Sequence, residues 1–438
     1  MIKKLIVILI TITSVSAFSQ RRAASPYSFY GLGSLKYKGT VENRSMGGIS
    51  VYLDSIHVNL KNPAAYAGNN MAAYDNESRA VKFAVAGGHT DLGFESNTSS
   101  GNASSSTFEY MTLTMPLGEK FGFGFGLMPY TSVGYSLESF TEDNDIENRY
   151  RGDGGVNRVF AGLGYSISKK LRVGVDFNYN FGSIENTAVS YAYTPEGVLV
   201  QLQSREDTRS DLSGLNINLG LAYKTMIKED LELSATATYA PRSILTSRNE
   251  RDINTVRINP FTLDEFVSNT INVDLAEDDL DVTDLTLPSR LSLGAGLGEP
   301  KSWFVGAEYT LLTVSDFSNP VYSNNSTAYE NASRFAVGGF YIPRYDAFSG
   351  YFKRVVYRAG FNFGNTGLVI KDESINEFGI SFGLGLPVGS RTMFSNANIG
   401  FEYGQRGTTN QNLVKENFFN VNLSLSLNAR WFEKRKFY

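Results

Sequence analysis

Residues Phe419 to Trp431 alternate without a fault. Phe419, Val421, Leu423, Leu425, Leu427, Ala429 and Trp431 fall on one face, and Asn420, Asn422, Ser424, Ser426, Asn428 and Arg430 on the other. Side chains of a strand point to opposite faces with period two, so this is a strand with one apolar and one polar face. At roughly 3.3 Å per residue it spans about 43 Å, and tilted by about 45° it rises about 30 Å, the thickness of a bilayer's hydrocarbon core. Strands of soluble sheets run about 5–6 residues. The length therefore favours a membrane wall over an edge strand of a soluble sandwich.

The start of the chain reads as an export signal over residues 1–19. Lys3 and Lys4 form a positive head, Leu5 to Ile12 an apolar core, and Ala17-Phe18-Ser19 a small-residue cleavage site before Gln20. Removing it takes the net charge from −4 to −6, since residues 1–19 carry the two lysines and no acid. The chain has no cysteine, which excludes a lipidated cysteine at the cleavage site, disulfides and thiolate chemistry. Past the signal no stretch approaches 18 consecutive apolar residues, the run expected of a transmembrane helix. Glycine is high at 42, and tyrosine plus phenylalanine reach 55, a content that a two-faced barrel wall and a soluble all-β protein share; the exported start and the long alternating segments favour the barrel. The mild acidity and the lack of a basic patch argue against nucleic acid.

From about residue 81 strand-like segments follow one another to the end. Fourteen are expected, near 81–91, 106–117, 120–138, 155–167, 170–187, 211–226, 229–247, 288–298, 301–316, 331–343, 353–365, 374–387, 394–405 and 414–431. Alternate joins are short, as at Leu117-Gly118-Glu119-Lys120, Ser168-Lys169-Lys170, Ile227-Lys228-Glu229-Asp230 and Gly298-Glu299-Pro300-Lys301. The joins between them, near 92–105, 139–154, 188–210, 248–287 and 317–330, are long and polar. Bacterial outer-membrane barrels have short periplasmic turns and longer extracellular loops. The expectation is thus an all-β chain, a transmembrane antiparallel β-barrel of about 14 strands over 81–432 in the cell outer membrane. Both termini are expected in the periplasm, with a tail over 433–438.

Within the wall, Phe121, Phe123, Phe125 and Leu127 share one parity and Gly122, Gly124 and Gly126 the other. With the aromatics toward lipid, the glycines leave room for something packed close inside. Leu171 to Phe181 and Leu215 to Tyr223 repeat the lipid-type face, and Tyr130, Trp303 and Trp431 suit interfacial girdles. His89 and Asp91 are read as a polar pair on an inward face. Residues 20–80 do not alternate cleanly. They hold Pro26, Pro63 and the run Arg44-Ser45-Met46-Gly47-Gly48-Ile49-Ser50. A compact non-strand segment ahead of such a wall is expected in the lumen as a plug (hatch); the rival is a free periplasmic arm.

Gly47-Gly48-Ile49-Ser50, the following Asp54 and Asn62-Pro63-Ala64 resemble the N-terminal signature of the FadL-like outer-membrane transporters of hydrophobic compounds. Phe121 to Tyr135 is similar to that family's third strand, and Leu287 to Gly294 with Phe304 to Tyr309 to a later strand pair. The opening Ser25 to Gly31 and the closing Trp431 to Lys436 look like a Bacteroidota branch, related to PorV-type barrels. The resemblance implies fourteen strands closed by an N-terminal hatch, with hydrophobic ligand captured outside and released laterally at a kinked third strand. It implies gating roles for Gly47, Gly48, Asp54, Asn62, Pro63, Ala64 and Pro129. Pro129 cannot donate to a sheet ladder, which suits either a gate or an ordinary bulge or strand end.

The sequence offers little else to carry chemistry. Its two histidines are His57 and His89, and the one dyad in reach is His89 with Asp91, so no enzyme is expected. No metal or cofactor is expected either. The acids Asp274, Glu277, Asp278, Asp279, Asp281 and Asp284 read as a solvated charge run that matches no calcium loop. Expected partners are outer-membrane lipid, a hydrophobic small molecule such as a long-chain fatty acid, and the barrel-insertion machinery during assembly. The alternative function is a binding or assembly partner of the envelope protein-secretion machinery.

Overall fold

The alternating segments close into an antiparallel β-barrel. The computed structural model describes residues 25–430 except 54–55, 68–72, 75–77, 260, 318–326 and 389–394. The export signal, Asp54, Trp431 and the 433–438 tail lie outside the described residues. Fourteen staves cross the wall. The first six are Ser78–Glu95, Ser100–Leu117, Phe121–Pro129 continued by Thr131–Phe140, Ile146–Ser166, Leu171–Ser190 and Leu202–Met226. Then come Glu232–Ala240 continued by Ser243–Ile258, Val282–Leu287 continued by Arg290–Glu299, Trp303–Leu312, and Thr327–Tyr329 continued by Ala332–Tyr341. Val356–Ile370, Glu373–Val388, Ser395–Arg406 and Lys415–Arg430 complete the wall. The last stave pairs with the first from Lys415↔Glu95 to Arg430↔Ala80, as an edge in lipid must.

The expected fourteen segments match the staves one for one, with the first wall strand starting at Ser78 rather than 81. Four of the joins expected as long polar loops, 92–105, 139–154, 188–210 and 248–287, are largely strand. The fifth and sixth staves stay paired as far as Ser190↔Ser204, and the first two as far as Glu95↔Ser100. Where both faces meet water, alternation disappears while the backbone ladder continues, so polarity there does not mark a loop. Part of the acidic 248–287 stretch is a hairpin, with Glu265–Asn272 laid along the far half of the seventh stave.

Outward positions match the expected lipid face: Phe121, Phe125, Phe177, Tyr179, Leu215 and Leu219 are exposed. Tyr130 departs from the girdle expectation. It sits in a break of the third stave with the Arg158 guanidinium 3.9 Å above its ring. His89 and Asp91 do share a face, but it is the outward one. There His89 Nε2 lies 3.2 Å from Asp91 Oδ1 and its Nδ1 2.8 Å from Ser106, all exposed. A bulge between Ala86 and Gly87 is where the register of the first two staves shifts.

The described residues of 25–67 run through the lumen. Ser25 bonds Glu416 and Tyr27 bonds Val414, at the end of the barrel that carries the longer joins. Pro63–Tyr66 lies at the other end, against staves three to six. The two ends of the described chain, Ser25 and Arg430, therefore lie at opposite ends of the wall. The wall receives this segment on its inward glycines. A Cβ added at Gly122 would overlap the Tyr66 carbonyl, at Gly174 the Pro63 backbone, and at Gly360 the Met46–Gly47 peptide.

Candidate functional site

The lumenal segment is built from short capped turns. Thr40 caps Val41–Arg44 in a capping box with Asn43, and the Asn62 side chain accepts from the Ala64 N–H to open Pro63–Tyr66. Asn62 Nδ2 also donates to the Leu221 carbonyl of the sixth stave at 3.0 Å. Ala64 packs with Leu53 and Ala222. Gly47 and Gly48 adopt left-handed φ of 70° and 91°, and the Gly47 N–H donates to Ser381 Oγ at 2.8 Å. Lys61 links the two motifs by donating to the Gly48 carbonyl at 2.9 Å and to Glu308. Glu308 also accepts from the Ser50 N–H and hydroxyl, each at 2.8 Å. The glycine pair and the Asn-Pro-Ala turn thus anchor one segment to opposite sides of the wall. Pro129 is apart from both, and Asp54 lies outside the described residues.

Further charge pairs tie the segment in place. Arg44 bonds Glu402 at 2.8 Å and Asn422 at 3.1 Å, while Glu42 accepts from Asn398 and Ser426. The polar face of the final strand therefore meets protein rather than open water. Burial lowers the Lys61 ammonium, opposed by Glu308. Burial also pushes Lys38 down to about 7, opposed by Asp176 at 3.9 Å and reinforced by Arg158, Arg290 and Lys61.

Above these anchors lies a cavity of about 360 Å³. Toward the long-join end its lining mixes apolar side chains, among them Tyr30, Phe317, Tyr329, Leu368 and Ile375, with the ion-paired Glu377, Arg406 and Glu416. Deeper it is charged. Arg44, Lys61 and Arg334 each approach the Tyr37 ring to within about 6 Å, and Arg290 and Glu308 complete the floor. Among the described residues no carboxylate lies within ion-pair distance of Arg290 or Arg334, and Arg290 Nε is buried without a partner. Sequence reasoning missed Lys61, Glu308 and Arg334. Their only mark is a charge on the inward parity of a strand or in an irregular segment, and the 61–308 pairing joins residues far apart in the chain.

The cavity reaches a gap in the wall. The second stave pairs with the third only from Met111↔Leu127 to Leu117↔Phe121. Beyond that, Ser100–Tyr110 pairs with the first stave alone, while Val133–Phe140 pairs with the fourth. In place of the second stave, the third takes the lumenal segment: Ser34↔Ser132 and Leu35↔Thr131, with the Lys36 N–H donating to the Tyr130 carbonyl at 3.0 Å. A Cβ at Gly33 would meet the Ser132 carbonyl. Ser105 on one side of the gap and Tyr130 and Ser132 on the other all line the cavity.

A protein-family model described as BamG matches residues 1–438. Among curated proteins nothing matches. Solved structures share the fold at low identity. The Ralstonia pickettii toluene transporter TbuX aligns with a TM-score of 0.56 at 16% identity, covering 90% of this chain and 99% of that one. The CymD monoaromatic hydrocarbon channel gives 0.54 at 14%, covering 92% and 100%. A Pseudomonas aeruginosa FadL homologue gives 0.54 at 13%, covering 90% and 99%. At such identities these likenesses establish the shared barrel architecture, and with it the expected resemblance at the level of fold.

Proposed function

The chain belongs to the BamG family, and from that premise we propose an outer-membrane barrel that takes up hydrophobic small molecules, long-chain fatty acids among them. The observation that carries this reading is a cavity with an apolar patch in its upper part and a cationic floor, bounded on one side by the two edges of a gap in the wall. A solute with an apolar tail and an anionic head matches both halves: the tail meets Tyr30, Phe317 and Tyr329, and the head meets Arg290 and Arg334. In this reading the longer joins face outward, residues 20–80 act as the hatch, and release is sideways between the second and third staves. Gly47, Gly48, Asn62, Pro63 and Ala64 hold the hatch; Asp54 keeps the gating role that the resemblance implies, whereas Pro129 stands at the seam as a strand break rather than as the element that sets it.

Binding of a long-chain fatty acid to the purified barrel, paired with uptake into liposomes, tests this. The Arg290→Met/Arg334→Met variant is expected to lose about tenfold or more in affinity for the acid, as charge-assisted hydrogen bonds are lost. A neutral aromatic hydrocarbon should be unaffected. Equal fatty-acid uptake with and without the barrel would sink the reading.

A second reading, a partner of the outer-membrane assembly machinery, is favoured by the family's name and by apolar side chains exposed on the long-join end, such as Phe261 and Ile271. Stoichiometric recovery of envelope proteins with the detergent-solubilised barrel supports it. A barrel that purifies alone with lipid in its cavity supports transport.

A further inference from the structure

Beyond the lipid belt the wall continues into a sheet with an uncovered edge. Leu202 lies roughly 40 Å of strand past Leu215, the last exposed leucine of the sixth stave's apolar row. Alongside it runs Ser243–Ile258, and alongside that Glu265–Asn272, which among the described residues pairs with nothing on its other side. Every residue of that strand after Glu265 is exposed. Soluble edges are ordinarily blunted by lysine, proline or a covering element; this strand has neither residue. It presents Phe266 and Ile271 on one face, 58% and 59% exposed, with Ile253 directly opposite Ile271. At the tip of the hairpin Phe261 is 95% exposed. Large apolar side chains held out in water beside an unpaired backbone edge mark a surface made for another chain.

The charge around the edge selects the occupant. Residues 248–287 carry Arg248, Arg251 and Arg257 against ten acids, a net −7 within a chain whose total is −4. Edge-to-edge pairing of two copies would bring these acids together, at a repulsive cost. We infer that Glu265–Asn272 is a docking edge for an extended basic segment of another envelope protein, which adds to the sheet as a further strand. Phe261, Phe266 and Ile271 are its anchors, and the acids of 274–281 meet its lysines and arginines. The inference deepens the second reading by giving the partner its chemistry. It is independent of whether the cavity carries a solute.

The probe is a labelled ten-residue peptide of alternating valine and lysine, with an alternating valine–glutamate peptide as control. It is titrated against the full barrel in lipid nanodiscs while hydrogen exchange is followed on the amides of 265–272. Expected are binding of the basic peptide that weakens with salt, slowed exchange in that strand, and about tenfold weaker binding in Ile271→Lys. Equal binding of the acidic peptide, protection confined to other strands, or self-association of the barrel through this edge overturns the inference. The titration tests the strand by itself, so its failure is separable from failure of the second reading, which co-purification judges.

Discussion

Two seams of the wall are built in different ways. Between the last and first staves a ladder of register partners runs from Lys415 to Arg430, the full length of the last stave. Between the second and third it stops after Met111↔Leu127, and the lumenal segment takes over at Ser34–Lys36. The first seam depends on backbone pairing within the wall. The second depends on a segment that reaches it from inside and is itself seated on glycines across the lumen. The third stave's edge at the second seam is thus covered by the lumenal segment, and whatever moves the segment uncovers that edge.

The largest effect is expected from unseating the segment. In Gly174→Leu the new side chain would occupy the space of the Pro63 backbone. Overpacking costs about 1–3 kcal/mol even where neighbours can shift, and here the neighbour is backbone. Folded yield, read as the compact band on unheated gels, should fall sharply, and residues 25–67 of any folded fraction should become protease-sensitive. Unchanged yield and protection would break the claim that the second seam is held from within.

Tying the segment to the third stave should come next. Ser34 and Ser132 are register partners, and opposed residues of antiparallel strands lie about 4.5–5.5 Å apart at Cα, within disulfide reach. The chain has no cysteine to compete. Oxidised Ser34→Cys/Ser132→Cys barrel should fold normally yet take up fatty acid near background, with recovery on reduction. Full uptake in the oxidised state would show that the strap does not move during transport.

A third test uses the lysine behind that strap. Lys38 titrates near 7 when folded, against about 10.4 in an unfolded chain. Between those values the unfolded state binds more protons, so stability should rise with pH across that window. Below pH 7 the penalty is full and constant. The urea midpoint of the wild type should climb from pH 7 to 10, and Lys38→Met should flatten the climb. An equal slope in both would remove Lys38 as its cause.

How much of this was legible beforehand depends on distance along the chain. The period-two rows at Phe121–Leu127 and Phe419–Trp431 are local, and they gave the staves, their lipid faces and the glycine-lined interior. Strand ends were misread where water lies on both sides, because nothing alternates there. His89 and Asp91 face outward because they stand opposite Val421 and Phe419 of the last stave's apolar row, and that register joins residues more than three hundred positions apart. The cavity floor was invisible for a related reason. Lys61, Glu308 and Arg334 acquire meaning only when a turn in the lumen meets staves more than two hundred residues later.

The smallest effect concerns Pro129, the residue most easily blamed for the open seam. The Tyr130 N–H donates to the Val156 carbonyl on the fourth stave at 2.7 Å. In an extended chain successive N–H groups alternate sides, so the donor that proline lacks is one that would face the second stave. Continuing the register of Met111↔Leu127 by two residues puts Glu109 opposite it. Glu109 is the residue skipped between Tyr110 and Phe108 in the pairing with the first stave. A bulge on one side thus meets a missing donor on the other, and the strap at Ser34–Lys36 occupies the third stave just beyond. Pro129→Ala restores one donor and leaves the bulge and the strap in place. Uptake should therefore stay within about twofold of wild type, and stability within about 1 kcal/mol, the worth of a single hydrogen bond. A large loss of uptake in this variant would mean that the proline alone keeps the seam apart, and the lumenal segment would lose its place as the element that sets it.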